Sequence, residues 1–183
     1  MKRLIITKHT FIMKTLIKTT VLACILFLGT NVNAQEKNIV ETAAGSEDFT
    51  TLVAAVKAAN LVGTLSSEGP FTVFAPTNAA FAKLPAGTVE TLLKKENKKM
   101  LQSVLTYHVV AGDVKASDVI AMIKKGNGIA KITTVSGGTL IAKLKDGSVY
   151  LEDEKGNWSK IVATDLNQSN GVIHVIDSVV LPK

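Results

Sequence analysis

The chain has 183 residues, of which 46% are hydrophobic, and a formal net charge of +6 at pH 7. That length predicts one domain, and that hydrophobic share is sufficient for a packed core. Five cations and no acidic residue lie in the first 34 positions, so the remaining 16 cations face 15 anions, a net charge of +1. A chain this close to neutral has no global positive field to attract nucleic acid or anionic membranes, and we predict neither as a partner.

The first 34 residues have the pattern of an export signal. Lys14 and Lys18 precede the apolar run VLACILFLG, and Val32-Asn33-Ala34 is typical of a cleavage site before Gln35. Met13 is an alternative start, because the signal is complete from there on. The apolar run is too short to span a bilayer comfortably. We therefore predict a signal peptide over 1–34, a single domain over 35–183, and a secreted or periplasmic product with no stable membrane insertion.

Cys24 is the only cysteine, and it lies inside the predicted signal. Its surroundings resemble a lipoprotein cleavage box only faintly, since the apolar run continues past it, and we do not expect it to carry a lipid. The exported chain then has no disulfide, no thiol nucleophile and no cysteine-based zinc site.

The first half of the domain reads mainly as helices. Ser46 is placed to cap a helix whose apolar face is Phe49, Leu52, Val53 and Val56, at helical spacing. A strand follows over 71–75 and ends at Pro76. Beyond it, Thr77 or Asn78 is placed to cap a short helix, and the apolar residues of 89–105 predict two more.

The second half changes to the period of strands. The stretch Tyr107 to Val110 reads as a strand, and Ser117 as the cap of a helix that stops at Gly126. From position 129 onward, short alternating runs are separated by pairs typical of tight turns: Gly137-Gly138, Asp146-Gly147, Gly156-Asn157 and Asn170-Gly171. Helices followed by an antiparallel meander predict an α+β fold.

No constellation of reactive residues stands out along the chain. His108 and His174 each lie in an apolar stretch without a ligand neighbour, so we expect structural hydrogen bonds rather than a metal. Asp165 begins a weak calcium-loop pattern, but Gly171 comes one place too late and Ile176 stands where the loop needs Glu. No nucleophile elbow or phosphate loop occurs, and residues 35–183 contain no arginine. We predict no catalytic residue, no metal and no cofactor.

Trp158 is the only tryptophan and follows a Gly-Asn turn. Two interpretations stay open: it is an exposed contact residue, or it covers the sheet.

Three segments resemble signatures of the fasciclin-type domain, the FAS1 family. FTVFAPTNAAF at 71–81 is similar to the first signature, and Tyr107-His108 within LTYHVVAG to the central tyrosine–histidine motif. The stretch 170–182, NGVIHVIDSVVLP, resembles the closing signature. All three occur in order at the family's usual separations, and the similarity covers roughly residues 37–183.

The resemblance implies a FAS1-like wedge, with helices packed on a twisted antiparallel β-sandwich and the first and closing signatures as neighbouring core elements. Thr77, Asn78 and His108 would then form a structural polar network that fixes strand and helix ends. Asn78 stands where many relatives carry Asp.

Members of this family are mostly secreted or surface-bound modules for adhesion or partner binding and are not enzymes. In animal members an Asp-Ile pair ahead of the closing Asn-Gly and the tyrosine–histidine region are implicated in adhesion. The matching positions are Asp165-Leu166, with leucine for isoleucine, and Tyr107-His108; with Trp158 they are the candidate binding residues. For Tyr107 and His108 we expect folding roles.

We therefore expect a non-enzymatic, exported adhesion module, of a bacterial type by its leader, which binds proteins or surface glycans. The alternative is a binding protein for a lipophilic small molecule such as a lipid or pigment. An apolar groove between helices would favour the alternative, and a polar surface with one apolar patch would favour the module.

Overall fold

The computed structural model of the protein describes residues 36–183. The predicted export signal, the alternative start at Met13 and the question of Cys24 lie outside the described residues.

The described residues form seven α-helices, two 3₁₀ turns and seven strands. The helices are α1 Ile39–Ala44, α2 Thr50–Ala58, α3 Val62–Leu65, α4 Asn78–Ala82, α5 Thr88–Leu93, α6 Lys98–Tyr107 and α7 Ala116–Lys125, and the 3₁₀ turns are Glu47–Phe49 and Lys95–Asn97. The strands are β1 Phe71–Pro76, β2 Val109–Ala111, β3 Ile129–Thr133, β4 Thr139–Lys145, β5 Ser148–Glu152, β6 Trp158–Gln168 and β7 Gly171–Ile176.

The seven strands form one sheet in the order β2-β1-β7-β6-β5-β4-β3. Every pairing is antiparallel except that of β1 with β7, which is parallel. A hydrogen bond from Val135 N to Val109 O (2.7 Å) also joins the segment after β3 to β2, the opposite edge strand. The α+β class is confirmed, and all four pairs of turn residues lie where consecutive strands of the meander turn back.

Two apolar clusters flank the sheet. One lies between the first helices, α6 and the strands β1 and β7, and includes Phe49, Leu52 and Ile173. The other lies inside the meander under α7 and includes Tyr107, Leu140 and Leu151. Because β1 and β7 contribute to both, their residues after the first are buried on either face of the strand, as in a central strand.

The first and closing signatures meet in the centre of the sheet. β1 and β7 pair in register from Phe71 opposite Gly171 to Pro76 opposite Ile176. At Gly171, where φ is +147°, an added Cβ would lie 1.9 Å from the Phe71 carbonyl oxygen. Only glycine allows this approach, which is why the closing signature needs it there.

Two local predictions in the middle of the chain are wrong. Tyr107 does not begin a strand: the apolar face of α6 continues through Val104 to Tyr107, His108 caps the helix end, and β2 starts at Val109. Ser117 does not cap α7, which begins at Ala116, because the Asp118 carboxylate accepts a hydrogen bond from Lys115 N (3.0 Å).

Candidate functional site

His108 lies at the junction of α6 and β2 and is 3% exposed. Its Nδ1 donates a hydrogen bond to Val104 O (2.8 Å), and its Nε2 accepts one from Val180 N (3.3 Å). These partners fix the neutral tautomer with the proton on Nδ1, since a second proton would face the Val180 N–H. Burial lowers the pKa of His108 to about 4, against a smaller upward effect of the Val104 carbonyl. The ring therefore stays neutral at pH 7 and ties the C-terminal segment to α6.

Tyr107 joins the other side of the same junction to the meander. Its buried hydroxyl donates to Thr139 O (2.8 Å) and accepts from Glu154 N (3.2 Å). Burial raises the pKa of Tyr107 to about 12, so the phenol remains a donor at every physiological pH. Gly138 lies so close to the ring that a Cβ there would be 2.7 Å from it. Tyr107 and His108 thus offer a partner no exposed surface in this conformation.

Thr77 and Asn78 fix a different junction. Thr77 Oγ1 accepts from Ala80 N (3.2 Å) and caps α4. The Asn78 amide accepts from Thr51 N (2.9 Å) and donates to Glu47 O (2.8 Å), which ties α4 to the start of α2. Among the described residues, no hydrogen bond joins either of them to His108. The three residues hold separate helix ends and are not one connected network.

Asp165 and Leu166 lie in β6, where its pairing with β7 shifts register. Asp165 has φ +58°, and its carboxylate accepts from Ala116 N (2.9 Å) at the first residue of α7. Its own N–H donates to His174 Nδ1 (3.3 Å). The carboxylate is therefore engaged inside the fold, where an acid at a helix N-terminus is favourable. Of this pair, Leu166 is the residue that presents its side chain to solvent.

Trp158 stands at the start of β6 and does not cover a core, since 42% of it is exposed. The Tyr150 ring lies 5.9 Å away, tilted by 54°. Two ammonium groups approach the indole: Lys143 Nζ is 4.9 Å and Lys145 Nζ 5.9 Å from the ring centroid. Trp158 is thus a partly exposed residue in a cationic setting, and it also lies beside a ring of the neighbouring strand.

Asp153 is a buried polar residue whose role the sequence analysis missed. It is 4% exposed and accepts hydrogen bonds from the backbone N–H groups of Lys155 (2.9 Å), Asn157 (2.8 Å) and Leu181 (3.0 Å). It closes the β5–β6 turn and holds the last residues of the chain. The available signal was the Asp-x-x-Gly-Asn spacing, which is typical of an aspartate that bonds its own turn.

An apolar cavity of about 60 Å³ lies between α1, α2, α3 and the strands beneath them. Its walls are almost entirely aliphatic and include Ile39, Val53, Val56 and Leu65, and His108 also lines it. Pockets for drug-sized ligands are usually about 300–1,000 Å³. A lipid or pigment would therefore fit only if the first helices moved apart.

Residues 36–183 bring no three His, Cys, Asp or Glu side chains together in a way that would hold a metal ion. No helix within that range is both long and apolar enough to cross a membrane.

Comparison with known proteins identifies the family. The model of the fasciclin domain matches residues 47–182. Protein sll1483 of Synechocystis sp. is 56% identical over 144 residues, which cover 79% of this chain and 73% of that protein. Immunogenic protein MPB70 of Mycobacterium bovis is 37% identical over 149 residues, or 79% of this chain and 68% of that protein.

The fold matches a solved structure of the same kind. A FAS1 domain pair from the insect cell adhesion molecule fasciclin I superposes with a TM-score of 0.71 at 15% identity, covering 80% of this chain and 51% of that one. This chain thus corresponds to about half the length of the insect pair. The resemblance drawn from the three signatures is confirmed: the chain belongs to the fasciclin domain family.

Proposed function

We propose that this fasciclin-domain protein is an exported, non-enzymatic interaction module that binds protein or glycan surfaces outside the cytoplasm. Membership of the family supports the proposal, since the insect relative is a cell adhesion molecule. The export pattern of the first 34 residues supports a secreted or periplasmic location.

The observation that carries the proposal is the exposure of large side chains along β6. Trp158, Val162 and Leu166 are 42%, 53% and 38% exposed, although the strand lies inside the sheet. Aromatic and aliphatic side chains held on a rigid strand lose little conformational entropy on binding, and tryptophan is enriched among residues that dominate binding energy. The motif residues Tyr107 and His108 would contribute by holding the scaffold.

Binding to intact cells of the protein's own host tests this proposal. The protein purified after export would be labelled and added to cells before and after treatment with protease or with periodate, which cleaves sugars. Loss of binding after protease indicates a protein partner, and loss after periodate a glycan.

Variants assign the binding to β6. We expect the double variant Trp158→Ala, Leu166→Ala to bind at least tenfold more weakly, because two exposed anchors are removed. Met100→Ala is the matched control, since Met100 is a comparably exposed apolar residue on α6. Equal binding by the double variant and the wild type would remove β6 from the proposal.

Export itself is tested by the intact mass of the product. We propose that residues 1–34 are removed and that the exported chain begins at Gln35. A product that begins at a lipid-modified Cys24 would contradict this and would make the protein membrane-anchored.

The alternative function is binding of a lipophilic small molecule, and the apolar cavity beneath α1 and α2 favours it. Native mass spectrometry of protein from its own host decides between the two functions. A stoichiometric apolar adduct that disappears in Val56→Trp, which fills the cavity, would establish the alternative. An adduct-free spectrum would leave the interaction module as the function.

A further inference from the structure

We propose that the outer face of strands β3 to β6 binds a polysaccharide that carries carboxylate groups. This face, here called the lysine–aromatic face, consists of Lys131, Lys143, Lys145, Tyr150, Trp158 and Lys160. The inference rests on the proposed function and specifies the chemistry of its partner.

Strand register brings these residues to one side of the sheet. Lys143 lies opposite Tyr150, and Tyr150 lies opposite Lys160. Residues paired across strands project to the same face. The intervening residues Ala142, Leu151 and Ile161 are buried in the core, so the lysines and rings point away from it.

Lys131 and Trp158 belong to the same side. Lys131 lies opposite Ile141, Ile141 opposite Glu152, and Glu152 opposite Trp158. β3 and β6 are separated by three strand spacings, about 14 Å at the usual 4.8 Å each. The cations are thus spread over a width that suits an extended partner with several charges better than a single small anion.

The charge of the face is positive although residues 35–183 are close to neutral. Four lysines lie on it together with one acid, Glu152, which forms an ion pair with Lys143. Within residues 36–183, Lys131, Lys145 and Lys160 have no carboxylate within ion-pairing distance. Their charges are therefore available to an anionic partner, and charge complementarity selects one.

The aromatic residues add what a sugar ring requires. Tyr150 and Trp158 lie 5.9 Å apart, with Lys143 and Lys145 beside the indole. The C–H groups of a pyranose ring pack on the electron-rich face of an aromatic ring, while the carboxylate of a uronic acid pairs with an ammonium group. An acidic sugar satisfies both kinds of contact within one residue.

Two other polyanions fit less well. Proteins that read the sequence of nucleic acids most often use arginine for bidentate contacts with bases, and residues 36–183 contain none. Insertion into an anionic membrane needs a continuous apolar surface, whereas here lysines lie between exposed apolar residues such as Ile129 and Trp158. A carboxylated polysaccharide requires only separate ammonium groups, each making a single contact, and exposed aromatic rings.

Because Trp158 is the only tryptophan in the chain, its fluorescence reports on this face directly. We expect polygalacturonate oligosaccharides, added at low salt to the protein purified after export, to change the emission of Trp158 in a saturable manner. A neutral dextran of the same length should cause no change. Affinity should fall as salt is added, because ammonium–carboxylate contacts are screened.

Two triple variants with the same loss of charge separate recognition from general attraction. Lys131→Gln, Lys145→Gln, Lys160→Gln should weaken binding at least tenfold. Lys94→Gln, Lys95→Gln, Lys99→Gln removes three exposed lysines near α5 and α6 and should change it less than twofold. In calorimetry, Trp158→Ala should bind at least fivefold more weakly, whereas Trp158→Phe, which keeps a ring, should lose less.

Three results would overturn the inference. These are an unchanged Trp158 emission at saturating polygalacturonate, equal losses in the two triple variants, and tighter binding of single-stranded oligothymidylate than of polygalacturonate. If the face triple variant fails on polygalacturonate but still binds host cells like the wild type, the interaction module stands and this face is not its contact. If no form of the protein binds host cells, the proposed function itself fails.

Discussion

The strand pair β1–β7 and the strands β3 to β6 belong to one sheet but differ in how far their faces are buried. β1 and β7 are buried on both faces and carry two of the three family signatures. β4, β5 and the first half of β6 are buried on one face, and the other presents lysines and aromatic rings to solvent. The comparison shows that family signatures mark where the scaffold is most constrained. The face proposed to bind a partner lies in segments without a signature.

In the buried region, we expect the largest loss of stability for a substitution at Gly171. Gly171→Ala forces a Cβ against the Phe71 carbonyl oxygen, at 1.9 Å, and a positive φ on alanine. Neither backbone can yield without opening the β1–β7 pairing, so we expect a loss of roughly 3–5 kcal/mol in the free energy of unfolding. The measurement is denaturant unfolding followed by circular dichroism.

Gly63→Ala is the matched control for that variant. Gly63 lies in α3 with nothing within 4 Å of its added Cβ and no positive φ. We expect it to be neutral or to stabilise the protein by up to about 1 kcal/mol. If both variants lost stability equally, the contact at Gly171 would not explain its requirement.

Lowering the pH should destabilise the folded protein through protonation of His108. Its pKa is lowered to about 4 in the folded protein, against 6.5 for the ordinary side chain. Between these two pH values the unfolded chain binds one proton more at this side chain than the folded protein does. The free energy of unfolding therefore has its full value above pH 6.5 and falls as the pH drops toward 4. The loss is about 3 kcal/mol over that window.

Melting temperatures between pH 7 and pH 4 measure this effect. His108→Gln should flatten the profile, because its side chain does not titrate. If His108→Gln lost as much melting temperature between pH 7 and pH 4 as the wild type, another group would be responsible for the acid sensitivity.

At pH 7, His108→Ala should lower the free energy of unfolding by about 1–3 kcal/mol, since Val104 O and Val180 N lose their buried partner. We expect its affinity for host cells to be unchanged wherever the protein is still folded. Thermal melts and cell binding of the same sample test both statements. A variant that melted like the wild type but lost binding would make the tyrosine–histidine motif a contact site.

The exposed region should show the smallest effect on stability. Trp158→Ala removes a partly exposed ring and its contact with Tyr150, worth less than about 1 kcal/mol. At roughly 2–4 °C per kcal/mol for a domain of this size, the melting temperature should fall by no more than about 4 °C. A larger fall would mean that Trp158 belongs to the scaffold and would remove the contrast between the two regions.

Much of the architecture was readable from local patterns. The alternation at 71–75, stopped by Pro76, predicted β1, and the four pairs of turn residues predicted the meander. These succeed because turn chemistry and side-chain period act over a few residues. The wrong strand at Tyr107–Val110 shows the limit: the run LTYHVVAG has no clear helical or strand period, and period alone does not show where a helix gives way to a strand.

For the candidate site, the sequence identified residues that have other roles in the folded structure than the ones predicted. Tyr107, His108 and Asp165 were offered as contacts or network members, yet each has a polar atom that is hydrogen-bonded to a backbone group far away in sequence. No local signal announces such partners, because they lie between 32 and 72 positions away. Asp153 was missed for the same reason in part, since its bond to Leu181 spans 28 positions.

By itself, the sequence determined the export pattern, the α+β class, the family and a net charge close to zero after residue 34, all of which follow from composition and short-range order. Only the tertiary structure decided how that charge is distributed. Lys131, Lys145 and Lys160 come from three different strands and are separated by 14 or more positions along the chain. Register places them on one face, because hydrogen bonding between strands fixes which distant residues are neighbours. A positive surface on residues 35–183, whose net charge is only +1, is therefore a property of the fold.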